Sequence, residues 1–408
     1  MNLNASKNKL IILMNLSGSY IGGAQKRYLT LINYLQKNNN DYYFLLNDAL
    51  YESCINNNIL SETKNVIPIP IKYGRPVPYQ KNDSSLNRET AYLSNLKQKS
   101  KVFNYLGLLS SFLKQLRSWS SYSFKLIKII KKYDIALIYG VFTGGIWSWL
   151  VAKLLNIKFI YSYNDSGAST VEKNILKILS SEYYPLKYAD KVDFLSEGLL
   201  DKLKEKKITI SKNKTLFTPC SFIIYDNFHP EYPKNDWIVF SARLTKIKNP
   251  QLLLEAISIL KNRDVIDFKL FILGDGVLFP ELTKLKDELN MRNVFFEGGV
   301  TNTSIHLKKS KIFISIQMDN NYPSQSLLEA MACENAIIAS DVGETRKLVT
   351  EDEGIIVPLQ SEKIADAIQS LIAKPTECER LGKNARKKVL EEHTIEKYSK
   401  YFLSITKN

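Results

Sequence analysis

Three short stretches of the chain carry side chains that could handle a phosphorylated, hydroxyl-rich ligand. The first is SARLTKIKNP, where Arg243 and Lys248 stand five apart between an apolar run and a helical pattern. Two cations on one strand-to-helix loop can clamp a diphosphate, the arginine through its planar fork and the lysine as a point charge. Two solvated loop charges would read the same way. The second is FILGDGVLF, where Gly274-Asp275-Gly276 closes an apolar run. This is a tight turn suited to a phosphate or ribose, although it is not the G-x-G-x-x-G dinucleotide fingerprint. The third is NNYPSQSLLEAMAC. Ser324, Gln325, Ser326 and Leu327 open a helical pattern whose first amides could receive an anion. One turn further, Glu329 could accept both hydroxyls of a ribose. Ser326 and Glu329 also fit S-x-x-E, a capping box that would make the glutamate purely structural. Both readings use the same spacing.

These loops need a scaffold. A chain of 408 residues exceeds one compact core, so two domains are expected. Short apolar runs alternate with helical patterns throughout, the signature of parallel sheets covered by helices. In the first half, strands are predicted at 10–16, 42–46, 66–70, 135–139, 157–163, 191–195 and 215–218, with an irregular insertion around 49–123. A proline-marked linker follows at 220–235. A second cycle then predicts strands at 237–241, 268–273, 294–296, 311–316 and 336–340, with helices at 250–261, 281–289, 304–309, 326–333 and 344–349. The expected fold is α/β, with two doubly wound Rossmann-like domains, 1–219 and 236–390, facing across a cleft. A tail helix in 391–408 would cross back to the first. In such sheets ligands collect at the carboxyl ends of strands, where the three stretches fall.

Composition narrows the chemistry. Four scattered cysteines and three separated histidines offer no metal-ligand spacing. The uncharged stretch from Ile135 to Ala152 reaches the lower limit of a membrane span. Thr143-Gly144-Gly145 interrupts it, and a strand, a glycine turn and a buried helix account for it better. The net charge of +15 is concentrated between Ala91 and Tyr133, which hold nine Lys/Arg and no acidic residue. Leu109, Phe112, Leu113 and Leu116 repeat there at helical spacing. An amphipathic element on an anionic leaflet fits this pattern, as does a helix packed on its own domain with a basic outer face. No aromatic-studded basic motif of a nucleic-acid module is present, so nucleic acid is not expected as a partner.

Taken together and in order, the motifs resemble the retaining glycosyltransferases of the GT-B fold, specifically family 4. The resemblance is carried by R-L-x-x-x-K at Arg243–Lys248, the G-D-G turn, F-E-G-G-V at Phe296–Val300, S-L-L-E-A-M-A-C at Ser326–Cys333 and A-S-D-V-G-E-T-R at Ala339–Arg346. Gly22-Gly23-Ala24-Gln25 is similar to the family's glycine loop after the first strand.

The resemblance implies that Arg243 and Lys248 hold the donor diphosphate and stabilise its leaving charge. It implies that Glu329 binds the ribose, with Ser326, Leu327 and Gly274 beside it. The backbone of Gly298, Val300 and Thr301 would read the base, and Gly22 and Gly23 would allow close approach to phosphates and acceptor. No metal or other cofactor is expected. The chain departs from the family twice. A glutamate usually stands eight positions before the ribose-binding one, and Asn321 occupies that place, or Asn320 with a one-residue shift. A histidine usual after a first-domain strand is replaced by Asn164, which could orient a sugar hydroxyl but could not do acid–base work. The expected activity is retaining transfer from a nucleotide-sugar, UDP-linked, to a hydroxyl of a glycan or lipid-linked acceptor in surface polysaccharide synthesis. The expected place is the cytoplasm, at the inner face of the plasma membrane. A non-catalytic nucleotide- or glycan-binding protein and a nucleotide-sugar epimerase are the alternatives.

Overall fold

The computed structural model describes residues 8–14, 21, 23–39, 41–71, 101–164, 171–300, 302–320 and 322–407. Gly22, Thr301 and Asn321 lie outside the described residues. The chain divides into two compact units, one of Met1–Pro219 with Ser399–Asn408, the other of Cys220–Tyr398.

The first unit is built on a parallel sheet of β1 (Asn8–Met14), β2 (Tyr42–Asn47), β3 (Val66–Ile69), β4 (Ile135–Phe142), β5 (Lys158–Tyr163), β6 (Lys191–Phe194) and β7 (Thr215–Phe217), in the order β3-β2-β1-β4-β5-β6-β7. The strands read as near-continuous apolar runs because helices cover both faces of a parallel sheet. Within 49–123, a region expected to be irregular, lie a helix at Asp48–Asn56, β3 and the start of a long helix at Lys101–Lys132. The uncharged stretch after Asp134 is β4 running straight into a helix at Thr143–Leu154, and Gly144 and Gly145 sit in that helix's first turn rather than in a separate turn. A Cβ on Gly145 would lie 2.3 Å from the Tyr161 ring, so the glycine is what lets helix and sheet close up. Among the described residues no helix is long and apolar enough to cross a membrane.

The second unit contains β8 (Trp237–Ser241), β9 (Lys269–Leu273), β10 (Val294–Gly298), β11 (Ile312–Ser315), β12 (Ala336–Ser340) and β13 (Gly354–Val357), all parallel and ordered β10-β9-β8-β11-β12-β13. This is the doubly wound order, in which the sheet reverses direction beside its first strand. Strand β13 and the helix Ser361–Ala373 after it were not anticipated from the sequence. Instead of the helix expected at 344–349 there is one 3₁₀ turn, Thr345–Lys347. The segment expected to be a linker, 220–235, packs into this unit: Phe222 is fully buried, and Ser221 Oγ accepts from Gln325 Nε2. The last helix, Ile395–Ile405, starts in the second unit and ends in the first, where Phe402 packs on Tyr139 and Tyr401 donates to Asp193.

Candidate functional site in the second unit

The carboxyl ends of β8, β9, β10, β11 and β12 gather the sequence-marked residues along one sheet edge. Arg243 follows β8, and its loop is zipped to the one after β9. Ala242 N–H donates to Leu273 O at 3.0 Å and Leu244 N–H to Asp275 O at 2.9 Å. The approach is so close that a Cβ on Gly274 would lie 1.9 Å from Ala242 O, and one on Gly276 2.4 Å from Leu244 O. The G-D-G turn is therefore fixed by contact with the arginine loop. Gly274 N–H also donates to Gly298 O at 2.7 Å, which joins the third loop to the other two. Gly298 has φ +67°, a left-handed backbone that favours glycine even though a Cβ there would meet nothing.

Lys248 ends a 3₁₀ turn at Lys246–Lys248, and its Nζ donates to Gln317 Oε1 at 2.9 Å. Gln317 is in turn fixed at the end of β11: its N–H donates to Ser340 Oγ, and Ser340 Oγ donates back to Gln317 O, both at 3.0 Å. Arg243 is exposed while Lys248 is half-buried. Burial, and then the neighbouring Arg243 charge, push the Lys248 ammonium down to about 8, with Asp319 pulling the other way. The Arg243 charge disfavours the charged form of Lys248, and a bound diphosphate would relieve that.

The helix Gln325–Ala332 begins two residues earlier than the S-x-x-E spacing suggests. Its N-cap is Ser324, whose side chain accepts from Leu327 N–H. Ser326 therefore lies inside the helix, with its hydroxyl 3.2 Å from that of Ser324, and no capping box forms with Glu329. Glu329 Oε2 instead accepts from Thr303 Oγ1 at 2.9 Å, across to the loop that follows β10. Val300, on that loop, packs against the core cluster holding Leu327 and Leu328. The geometry thus brings Arg243, Lys248, Gly274, Gly298, Val300, Ser326, Leu327 and Glu329 to one edge. Gln317, Thr303, Ser340 and Glu344 were assigned no role from the sequence, though the last two stand inside a quoted motif. Among the described residues no group of three or more His, Cys, Asp or Glu could hold a metal ion. A cavity of about 740 Å³ opens at the opposite, amino-terminal ends of β8, β9 and β10, and none of these residues lines it.

In the first unit, Gly23 opens the helix Gly23–Asn38, and Asn164 follows β5. The Asn164 amide is engaged on both sides. Its Oδ1 accepts from Arg27 and from Tyr28 Oη (3.0 Å), and its Nδ2 donates to Ser162 Oγ at 3.0 Å. Arg27 is buried at 3% exposure. The position expected to orient a sugar hydroxyl is thus an amide locked into a guanidinium–hydroxyl network. Nearby, Asp193 is buried and accepts from Tyr139, Tyr401 and Thr218, and burial raises its pKa.

Proteins similar to this chain include named glycosyltransferases. An N-acetylgalactosaminyltransferase of Campylobacter jejuni, acting on an undecaprenol-diphosphate-linked saccharide, is 35% identical over 132 residues, 32% of this chain and 35% of that protein. An α-1,4-N-acetylgalactosaminyltransferase of the same organism, also acting on an undecaprenol-linked glycan, is 27% identical over 199 residues, 48% of this chain and 54% of that protein. The matched part therefore spans between about a third and about half of these relatives' length. Two solved structures share the whole fold. Anabaena HepE in complex with UDP superposes with TM-score 0.71 at 12% identity, over 98% of this chain and 99% of that one. Sucrose-phosphate synthase of Thermosynechococcus elongatus does so with TM-score 0.71 at 16% identity, over 98% of each. The chain has the two-sheet GT-B fold, and residues 222–388, nearly all of the second unit, match the family model of glycosyl transferases group 1.

Proposed function

We propose that this protein is a retaining glycosyltransferase, family 4-like, that moves a sugar from a UDP-sugar to a hydroxyl of a lipid-linked glycan. The observation that carries the reading is the pair Arg243 and Lys248 on a loop clasped to the G-D-G turn, with Glu329 held from the loop after β10. In this reading the diphosphate lies against the two cations, the ribose hydroxyls on Glu329, and the base along Gly298–Thr301. The bond from the anomeric carbon to the diphosphate oxygen breaks, and its electron pair passes to a phosphate facing Arg243 and Lys248. The acceptor oxygen bonds the same face of that carbon and gives its proton to the departing phosphate oxygen. Two fixed cations supply the charge stabilisation that a metal could otherwise give, so no metal or cofactor is assigned. Asn164, with its amide occupied, takes no proton.

UDP as the nucleotide is supported by the HepE likeness, and a polyprenyl-linked acceptor by the Campylobacter relatives' names. In this reading the protein works at the cytoplasmic face of the plasma membrane. Supporting this, the helix Lys101–Lys132 turns Tyr122, Leu126 and Ile130 to its own core and leaves Leu113, Leu116 and Phe124 exposed among Lys114, Arg117 and Lys128. The outward apolar side thus includes Leu113 and Leu116 of the face expected from spacing, extended by Phe124. A non-catalytic nucleotide-binding protein is the second reading, favoured by the loss of the family's acid to Asn320 or Asn321. Melting measured with UDP, GDP and their sugars tests nucleotide binding, and release of UDP upon adding a polyprenyl-linked acceptor separates enzyme from binder. Alanine at Arg243 or Lys248 should weaken the first and abolish the second. Unchanged UDP stabilisation in those variants would remove the diphosphate role.

A further inference from the structure

The half of the pocket that would receive the donor sugar lacks its expected acid, and the loops at the ends of β11 and β12 show where a carboxylate is found instead. These strands are neighbours, with Ser315 opposite Ala339, so the loops leaving them run side by side. The first loop carries Gln317, which holds Lys248, then Asp319 and Asn320. Asn320 does not present its amide outward. Its Oδ1 accepts from the backbone N–H groups of Tyr322 (3.1 Å) and Glu344 (3.2 Å), and its Nδ2 donates to Glu344 Oε2 at 3.2 Å. The loops touch so closely that a Cβ on Gly343, whose φ is +53°, would fall 2.5 Å from Asn320 Cβ. On its other side Glu344 Oε1 meets Lys347 Nζ at 2.6 Å, and the carboxylate side chain is 12% exposed.

We propose that Glu344 is the specificity-determining acid of the donor-sugar pocket, accepting from ring hydroxyls of the hexose in a nucleoside-diphosphate sugar, and that Asn320 is its positioning residue. A carboxylate is an all-acceptor group suited to paired sugar hydroxyls. Asparagine at 320 cannot bring a negative charge, but it fixes the backbone and one oxygen of the neighbouring loop's glutamate. The acid is thereby carried by the β12 loop, one strand beyond Lys248's partner Gln317, along the edge where ligands of doubly wound sheets bind. Lys347 and Asn320 hold it from two sides, so little rotamer freedom is lost when a sugar docks.

This inference rests on the reading of the second unit as a nucleotide-sugar site, and the two are separable by experiment. Calorimetry on the full chain compares UDP with UDP-glucose, UDP-galactose and their N-acetyl forms. The wild type is expected to bind one UDP-sugar more tightly than UDP. Glu344→Gln should keep UDP affinity within about twofold while losing about tenfold in affinity for that sugar nucleotide, the scale of one hydrogen bond to a charged group. Its discrimination among the four sugars should flatten. Asn320→Ala should raise KM for the donor with a smaller change in kcat, and Glu344→Asp should keep part of the preference. If Glu344→Gln binds and discriminates as the wild type does, the glutamate is a loop brace and the proposal fails, with the UDP site intact. If it misfolds by circular dichroism, Glu344→Asp decides: unchanged sugar preference with the carboxylate withdrawn by one methylene overturns the assignment. Absence of any UDP binding by the wild type removes the parent reading, and this inference with it.

Discussion

Thr303 Oγ1 donates to Glu329 Oε2 at 2.9 Å, tying the loop after β10 to the helix after β11. The spacing of Ser326 and Glu329 allowed a capping box, but the helix is capped by Ser324, so that structural role is not filled. The glutamate is instead aimed at the loop proposed to read the base. Glu329→Gln should therefore weaken UDP binding by about 10- to 100-fold, the range for hydrogen bonds to a charged group, with little change in melting temperature. Titration calorimetry reads the first and a thermal scan the second. Near-normal UDP affinity would show that the carboxylate does not touch the ribose. Thr303→Val should give a smaller loss in the same direction, because it removes only the group that orients Glu329.

Two glycines of the site differ in why they are glycine, and substitution should separate the reasons. Gly274→Ala would put a Cβ 1.9 Å from Ala242 O, so the arginine loop must move. Overpacking of this kind costs about 1–3 kcal/mol or more, and Arg243 would be displaced with its loop. UDP binding should be lost along with stability. Gly298→Ala meets open space and pays only for its left-handed backbone, about 1–2 kcal/mol. It should lower the melting point by a few degrees while retaining most UDP affinity. Equal losses of binding in both variants would contradict the clasp between the first two loops.

How far the sequence announced this site depends on the kind of interaction. The placement of Arg243, Gly274 and Glu329 at one sheet edge was legible because each sits at a fixed offset from a strand or helix signal, and parallel sheets bring such offsets together. The strand runs were legible because burial on both faces leaves them almost wholly apolar. Gln317, Ser340 and Thr303 were not, since each acts through a side-chain contact with a residue 23 to 69 positions away. Local pattern carries no information about such pairs. The same holds for Asn164, where the residue was noted but its lock by Arg27 and Ser162 depends on the packing of a helix against β5. Where a helix was expected at 344–349 there is a 3₁₀ turn at Thr345–Lys347, and the Glu344 N–H before it donates to Asn320, a partner 24 positions away that local pattern does not reveal.

The long basic helix makes a prediction that needs no substrate. Phe124 and Leu113 are 60% and 55% exposed, and Lys128 Nζ sits 4.3 Å from the Phe124 ring centroid. Exposed apolar side chains ringed by cations fit the interfacial zone of an anionic leaflet. The protein should float with vesicles containing phosphatidylglycerol at low salt and be released as ionic strength rises. Serine at both Leu113 and Phe124 should weaken binding about tenfold through lost apolar burial. Glutamate at Lys114 and Lys128 should weaken it and remove most of its salt dependence. Binding to neutral vesicles at equal strength would leave the charge without a role.

The displaced titration of Lys248 gives the site a pH signature. Burial and the Arg243 charge hold its ammonium at about 8 in the free protein, so a fraction of Lys248 is neutral at that pH. A diphosphate placed against it favours the charged form and draws a proton from solvent. UDP binding near pH 8 should therefore be accompanied by proton uptake, seen as a dependence of the calorimetric enthalpy on the ionisation enthalpy of the buffer. Affinity should fall as the pH rises through 8, because the free protein must then be protonated before it can bind. Lys248→Met should bind UDP weakly and without that uptake. Lys248→Arg, whose charge is fixed, should bind without pH dependence in the same range, though its broader head does not reproduce the bond to Gln317. A wild type that takes up no proton at pH 8 would contradict a lowered Lys248 pKa relieved by the diphosphate.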